Sequence, residues 1–409
     1  MLIFLCISYS LRLTGINAYT GIINATFLSK RKITGQLNSN PIFTNVPRFD
    51  QISFSLHKMQ FYEIAFSVYR GFAHKLSISN CIFSNSISPI HISTSESGKL
   101  KPINSKIEYK NQDISLRDTI FDFCSSLSEN GGSVYAEMCK ISFIGVEFVH
   151  SMAQNGGAAY LIQGKVNLEG CSFYKCSSKI NGGAMIAKEC KLSAKKTFFV
   201  QNSAGSCSGA FSHSTGISNM IDCYIYENKA TKGYGGISLE DIAGEYIKVK
   251  FNDNQSPVSE GGNSLNIIST ADDFFVEECV FNGGISYISY PNDAIIHVTD
   301  SCFDVNIDKS HTMNGDPLPN SVDPFKKPYW GNNYYFGQCS PAPKLPPKYY
   351  KELFHYTKTA PVIEWWKLYI ILAMFVCLVL FLYFIIPAVF FPLIADGAKI
   401  RGESKNIKI

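Results

Sequence analysis

The chain has 409 residues with Lys+Arg 37 against Asp+Glu 33, a formal net charge of +4, and only 17% of residues charged. That excludes an intrinsically disordered chain, and with no Lys/Arg-rich run it gives nucleic-acid binding no electrostatic footprint. Hydrophobic residues make up 46% and aromatics 13%, with 30 Phe, 22 Tyr and 30 Gly, a balance that favours β-structure with tight turns.

In chain order, residues 1–9 read MLIFLCISY and are followed by small and polar residues ending at Ala18. This pattern predicts a secretory signal over 1–18, although it lacks a basic n-region. From 19 to 310 a β-rich body is expected. Asn24, in Asn24-Ala25-Thr26, matches the N-glycosylation acceptor pattern, as does Asn254 in Asn254-Gln255-Ser256. Asn254, however, also belongs to a repeat column and is expected to be structural.

Two motifs repeat in register through the middle of the body, with the best repeats over 119–306. Glycine pairs stand at Gly131-Gly132, Gly156-Gly157 and Gly182-Gly183. The series continues with Ser208-Gly209, Gly235-Gly236 and Gly261-Gly262, in steps of 25, 26, 26, 27 and 26 residues. A second series runs Phe121, Phe148, Phe173, Phe199, Ile225 and Phe251, and three residues after its last three members come Asn202, Asn228 and Asn254. Such a beat denotes a solenoid. Residues one and three places after each glycine pair alternate from small to large, and no segment carries a long helical period. The predicted fold is all-β: a right-handed parallel β-helix, a pectate-lyase-like solenoid of ~26-residue coils and roughly ten turns, followed by one C-terminal transmembrane helix. Each glycine pair is expected to supply a corner, the Phe column to stack inside, and the Asn column to bond to its copies. Degenerate coils are expected around Phe27, Phe54, Phe83 and Phe281.

NGGA at Asn155–Ala158 and Asn181–Ala184 and FxxN at Phe199–Asn202, Phe251–Asn254 and Phe303–Asn306 resemble the repeats of the chlamydial polymorphic outer membrane proteins. They are similar also to the related surface proteins of parasitic (trichomonad-like) protists. The resemblance implies surface exposure and adhesion to host cells or matrix. The bacterial members end in an exporting β-barrel, whereas this chain ends in a hydrophobic segment, so it looks like a eukaryotic type I version.

Between Phe83 and Phe121 the spacing stretches to 38 residues, which predicts an insertion loop over about 93–112, leaving from one corner. Over 311–362 prolines crowd together around the aromatic run at 328–335, and a stalk with a cap over the open sheet edge is expected. Residues 368–386, LYIILAMFVCLVLFLYFII, carry no charge, with Trp365 and Trp366 ahead of them. A membrane-spanning helix over 363–391 follows, then a cytoplasmic tail over 392–409. Lysines on both sides leave the orientation to the signal. Thus the expected location is the plasma membrane with the body outside, an internal membrane being the alternative.

Thirteen cysteines are present. Cys171 and Cys223 share a column two coils apart, as do Cys139 with Cys190 and Cys124 with Cys176. At about 4.8 Å per coil, two coils exceed the roughly 7 Å Cα limit for a disulfide, so most are read as buried stack members. No CxxC or Cys/His metal spacing is present, and neither cofactor nor metal is expected. The acidic residues Asp272, Asp273, Glu277, Glu278, Asp300, Asp304 and Asp308 have no accompanying arginine, and the NTD, GHG and RIK signatures of pectin-degrading hydrolases are absent. No catalytic residue is assigned. The chain is read as a non-enzymatic adhesin or binding protein with a host protein or glycan as partner. A membrane-tethered polysaccharide lyase or hydrolase and an antigenic coat are the alternatives.

Overall fold

The computed structural model describes residues 51–64, 67–71, 75–92, 112–256, 264–283, 288–291, 294–303 and 333. It also describes the strands Ile16–Asn17, Ile22–Leu28, Lys32–Thr34, Phe43–Thr44, Tyr329–Gly331 and Tyr334–Tyr335. All belong to one compact unit, Met1–Ala342. Apart from Ile16–Asn17, Gln112 and the residues given at 329–335, the signal, insertion loop and stalk lie outside the described residues, as do the membrane helix, tail, Gly261, Gly262, Asp304, Asn306 and Asp308. No helix among the described residues is long and apolar enough to cross a membrane.

The described body is an all-β parallel solenoid. Strands of successive coils pair in parallel into sheets of 19, 12 and 5 strands, and the one antiparallel member is Ile16–Asn17 at the edge, against Ile22 and Ile23. One coil shows the plan: Ala159–Glu169 in the large sheet, Ser172–Tyr174 in the second and Ser177–Ser178 in the third. The next repeats it as Met185–Lys195, Phe198–Val200 and Ser203–Ala204, with Ala159 opposite Met185 and Phe173 opposite Phe199.

The second sheet turns its phenylalanines inward. Phe61, Phe83, Phe121, Phe148, Phe173 and Phe199 stack with centroid spacings of 4.9, 4.9, 5.1, 4.7 and 4.7 Å, every ring fully buried. Ile225 interrupts the stack, and Phe211 from the large sheet meets Phe199 there at 5.3 Å. Phe251, Phe281 and Phe303 resume it at 4.7 and 4.9 Å. Offset stacking at this spacing adds about 1 kcal/mol per pair to the area each ring buries. Phe54 is not in this column. It lies in the large sheet on Gln51–His57 opposite Ala25 and Leu76, and Phe27 pairs with Leu56. The column residue of that coil is Phe61, seven positions on, preceded in register by Ile33.

The glycine pairs divide two tasks. The first member, Gly131, Gly156 or Gly182, has φ of 69°, 57° and 63°, and Ser208 takes the same turn at 61°. The second member is needed for space: a Cβ on Gly183 would lie 2.1 Å from the Gly209 carbonyl oxygen and 2.6 Å from that of Ser203. One register differs from the expectation. Phe211 pairs with Ile237, so Gly235 stacks on Gly209, and Gly236 falls on Ala210, whose N–H donates to its carbonyl at 3.0 Å. The coil thus keeps 26 residues, because the strand ladder and not the glycine pair sets its length.

The expected small–large alternation also shifts by one place. Ser133, Ala158, Ala184 and Ala210 are buried in the turn, ahead of the strand. The inward column is Val134, Ala159, Met185, Phe211, Ile237 and Leu265; the place after it is on the other face of the sheet, where Tyr135 and Ser212 are half-buried and Tyr160, Ile186, Ser238 and Asn266 are buried.

Most other corners use single left-handed residues that are not glycine. Lys196, Asp222 and Lys248 turn from the large sheet into the second, and Lys175, Gln201 and Glu227 turn into the third, with φ between 49° and 56°. Each such residue costs roughly 1–2 kcal/mol, but its N–H stays in the inter-coil ladder: Lys196 N donates to Ile221 O at 3.0 Å and Gln201 N to Tyr226 O at 2.9 Å. After the first corner comes a small inward residue that satisfies a corner carbonyl. Thr197 Oγ1 donates to Lys195 O at 3.1 Å and Cys223 Sγ to Ile221 O at 3.4 Å.

The insertion leaves where the large sheet turns at left-handed Met138, φ 52°. Ile92 is in register with Ala136, and Gln112 with Cys139, so the chain leaves and re-enters on either side of that bend in the large sheet. At the other end, Tyr329 and Trp330 pair with His297 and Val298, and Tyr334 with Cys302, adding a further parallel rung. Buried Asn333 anchors it, accepting from Ser301 N and donating to Val298 O, both at 3.0 Å.

Candidate functional site

The eleven-residue strands of the large sheet bend at one left-handed residue, Gln163, Glu189, Thr215 or Asp241. The bend splits the sheet into two facets whose outward residues form columns.

On the first facet the rings of His91, Tyr135 and Tyr160 stack at 4.5 and 5.8 Å, nearly parallel. Lys188 Nζ lies 5.6 Å from the Tyr160 centroid, and Tyr135 hydroxyl donates to Glu137 Oε1. Since the rings cover one another's faces, the ladder offers edges and a hydroxyl to solvent and no open platform. Burial first, then the Arg70 charge, lowers the His91 pKa to about 4.

The second facet is different. Its outermost column is Lys75, Asp113, Lys140, Lys165 and Lys191 in register. Beside it run Ser77, Ser115, Ser142, Asn167, Ser193 and Asn219, and beyond these Arg117, Ile144, Glu169 and Lys195. Alternation puts all three columns on the outside, and Ile141, Val166 and Leu192 between them are buried. Lys140, Lys165 and Lys191 are exposed, and none has an ion-pair partner among the described residues. The middle column is short and polar, with Asn167 Nδ2 3.4 Å from Ser142 Oγ. The result is a facet whose floor is a column of hydroxyls and amides, flanked on one side by a mostly lysine column and on the other by the mixed column of Arg117, Ile144, Glu169 and Lys195. Net charge conceals it, and only the ladder register brings Lys140, Lys165 and Lys191 together.

The asparagine column is interior. Asn202, Asn228 and Asn254 are at most 2% exposed. Asn202 Nδ2 donates to Phe173 O at 3.0 Å, Asn228 Nδ2 to Phe199 O at 2.9 Å and Asn254 Nδ2 to Ile225 O at 2.8 Å. Asn254 Nδ2 therefore sits within the core, and Asn24 lies on Ile22–Leu28 opposite Ser53. A second ladder went unread in the sequence. The Asn ahead of the first three glycine pairs bonds to the next coil, Asn155 Nδ2 donating to Asn130 Oδ1 at 3.0 Å, Asn181 N to Asn155 Oδ1 at 3.3 Å and Cys207 N to Asn181 Oδ1 at 3.2 Å.

Nine described cysteines are free, eight buried and Cys207 half-buried, whereas Cys302 is disulfide-bonded. Burial pushes the thiols of Cys124, Cys171, Cys176 and Cys223 up to about 12. Among the acidic candidates, Glu278 pairs with Lys248 at 3.4 Å and Asp273 with His297 at 3.3 Å, while Asp300 turns a corner. Among the described residues no three His, Cys, Asp or Glu side chains gather to hold a metal.

No protein-family model, curated protein or solved structure matched the chain.

Proposed function

We propose that the chain is a single-pass type I surface protein whose β-helix body, right-handed and pectate-lyase-like, serves adhesion or ligand binding outside the cell. The observation that carries this reading is the second facet of the large sheet, an outward surface on which Ser or Asn stands at all six rungs from Ser77 to Asn219 and Lys beside it at four of them. A rigid repetitive surface multiplies weak contacts, since each engaged rung raises the effective concentration of the next. Supporting it from the sequence are the apolar run over 368–386, the leader-like residues 1–18 and the GGA/FxxN repeats that resemble polymorphic outer membrane proteins and protist surface proteins.

The test is gain of adherence. Full-length chain expressed in a non-adherent eukaryotic cell is expected to increase attachment to a second cell layer. Surface expression with attachment equal to that of untransfected cells would sink the adhesin reading.

A further inference from the structure

We infer that the second facet binds an extended polyanionic glycan, lying along the solenoid axis with its acidic groups on Lys140, Lys165 and Lys191. This rests on the binding reading above and names its ligand class. Like charges directly opposite on neighbouring strands destabilise a sheet, yet here three lysines occupy consecutive rungs about 4.8 Å apart, exposed and without ion pairs among the described residues. Asp113 stands opposite Lys140 at one end of the run, but Lys165 and Lys191 have no acidic neighbour in their column, and an anionic chain turns the repulsion into attraction.

The floor selects the kind of polyanion. Ser142, Asn167 and Ser193 stand beside the three lysines in the same rungs. Hydroxyl and carboxamide groups both donate and accept, as sugar hydroxyls do. One rung matches the length of one sugar unit in an extended chain, so charge and hydroxyl contacts repeat in phase. The described outward residues of these rungs include no aromatic face on which bases stack, so a single-stranded nucleic acid is the poorer fit. The apolar residues of the three columns, Ile144, Ile217 and Ile221, are all half-buried, which makes a bilayer the poorer fit. From Ser77 to Asn219 the floor spans six rungs, about 24 Å.

The experiment measures binding of a heparin-derived octasaccharide to the detergent-solubilised full chain over a range of salt. A 20-mer DNA duplex and phosphatidylserine vesicles serve as competing probes. Wild type is expected to bind the octasaccharide with marked salt dependence. The triple variant K140S/K165S/K191S should lose about tenfold or more in affinity with a shallower salt slope. All three positions are exposed, so an unchanged circular dichroism spectrum is expected. The pair N167A/S193A should weaken binding about threefold at unchanged slope. Octasaccharide binding that is absent, or indifferent to the triple lysine change, overturns the inference. So does equal binding of DNA or vesicles with no effect of N167A/S193A, which reports generic charge only. The adherence test separates the two readings: adherent cells with no octasaccharide binding refute the ligand class alone, and octasaccharide binding without adherence refutes adhesion alone.

Discussion

A histidine in a dry interior costs stability whenever it must carry charge. His213 is fully buried in the inward column between Ala187 and Leu239, its Nε2 3.2 Å from the Cys190 carbonyl oxygen and its Nδ1 without a hydrogen bond. Desolvation lowers its pKa to about 4 from 6.5. Because the folded value is depressed, the unfolded chain binds the extra proton first, and stability falls as pH drops from 6.5 towards 4. The loss between about pH 7.5 and pH 5 is roughly 2 kcal/mol. His213→Leu puts into the column the side chain Leu161 and Leu239 already supply, so its urea midpoint is expected to fall less over that range than wild type. His91, half-buried and also depressed to about 4, leaves the variant some acid sensitivity. Identical losses in the two proteins would show that the His213 ring charges without cost.

At the scale of one element, the asparagine ladder ties three coils through side chains that each do two jobs. Asn228 Oδ1 accepts from Asn202 N at 2.9 Å while its Nδ2 donates to Phe199 O. Asn228→Leu leaves both backbone groups buried and unpaired, a cost of roughly 3 kcal/mol. Asn202→Cys is expected to cost much less, since Cys176 and Cys124 hold that column in other coils and Cys176 Sγ reaches Phe148 O at 3.5 Å. Denaturant midpoints of the two variants check this, and equal losses would argue against the ladder as the source of the stability. This column was legible in the sequence because its spacing from Phe is fixed at three. The left-handed corners were not: Lys196, Asp222 and Gln201 are ordinary surface residues, and only backbone geometry marks them. The Gly235-Gly236 slip has a similar cause. Two glycines look like the repeat of Ser208-Gly209, but hydrogen bonding fixes the register, and it places Gly236 where its neighbour has Ala210. Phe54 misled for a related reason, since phenylalanines face inward from two different sheets.

For the whole molecule, a solenoid converts sequence period into surface pattern. The 26-residue beat identified the parallel fold, yet the lysine column stayed hidden, because Lys140, Lys165 and Lys191 stand among many lysines in a chain of net charge +4. Which of them share a column depends on where each strand begins, and that is set by turns rather than by composition. Their alignment beside Ser142, Asn167 and Ser193 is what makes the body a candidate for repeated contact with a long ligand. The central claim is that this surface faces the outside of the cell. The most direct measurement inserts one epitope tag at Ser97 and a second after Ile409, then labels live cells before and after permeabilisation. The account predicts that antibody reaches only the Ser97 tag on intact cells and both tags once the membrane is opened. Labelling of the C-terminal tag alone on intact cells would contradict the orientation, and labelling of neither would put the protein on an internal membrane and remove the support for adhesion.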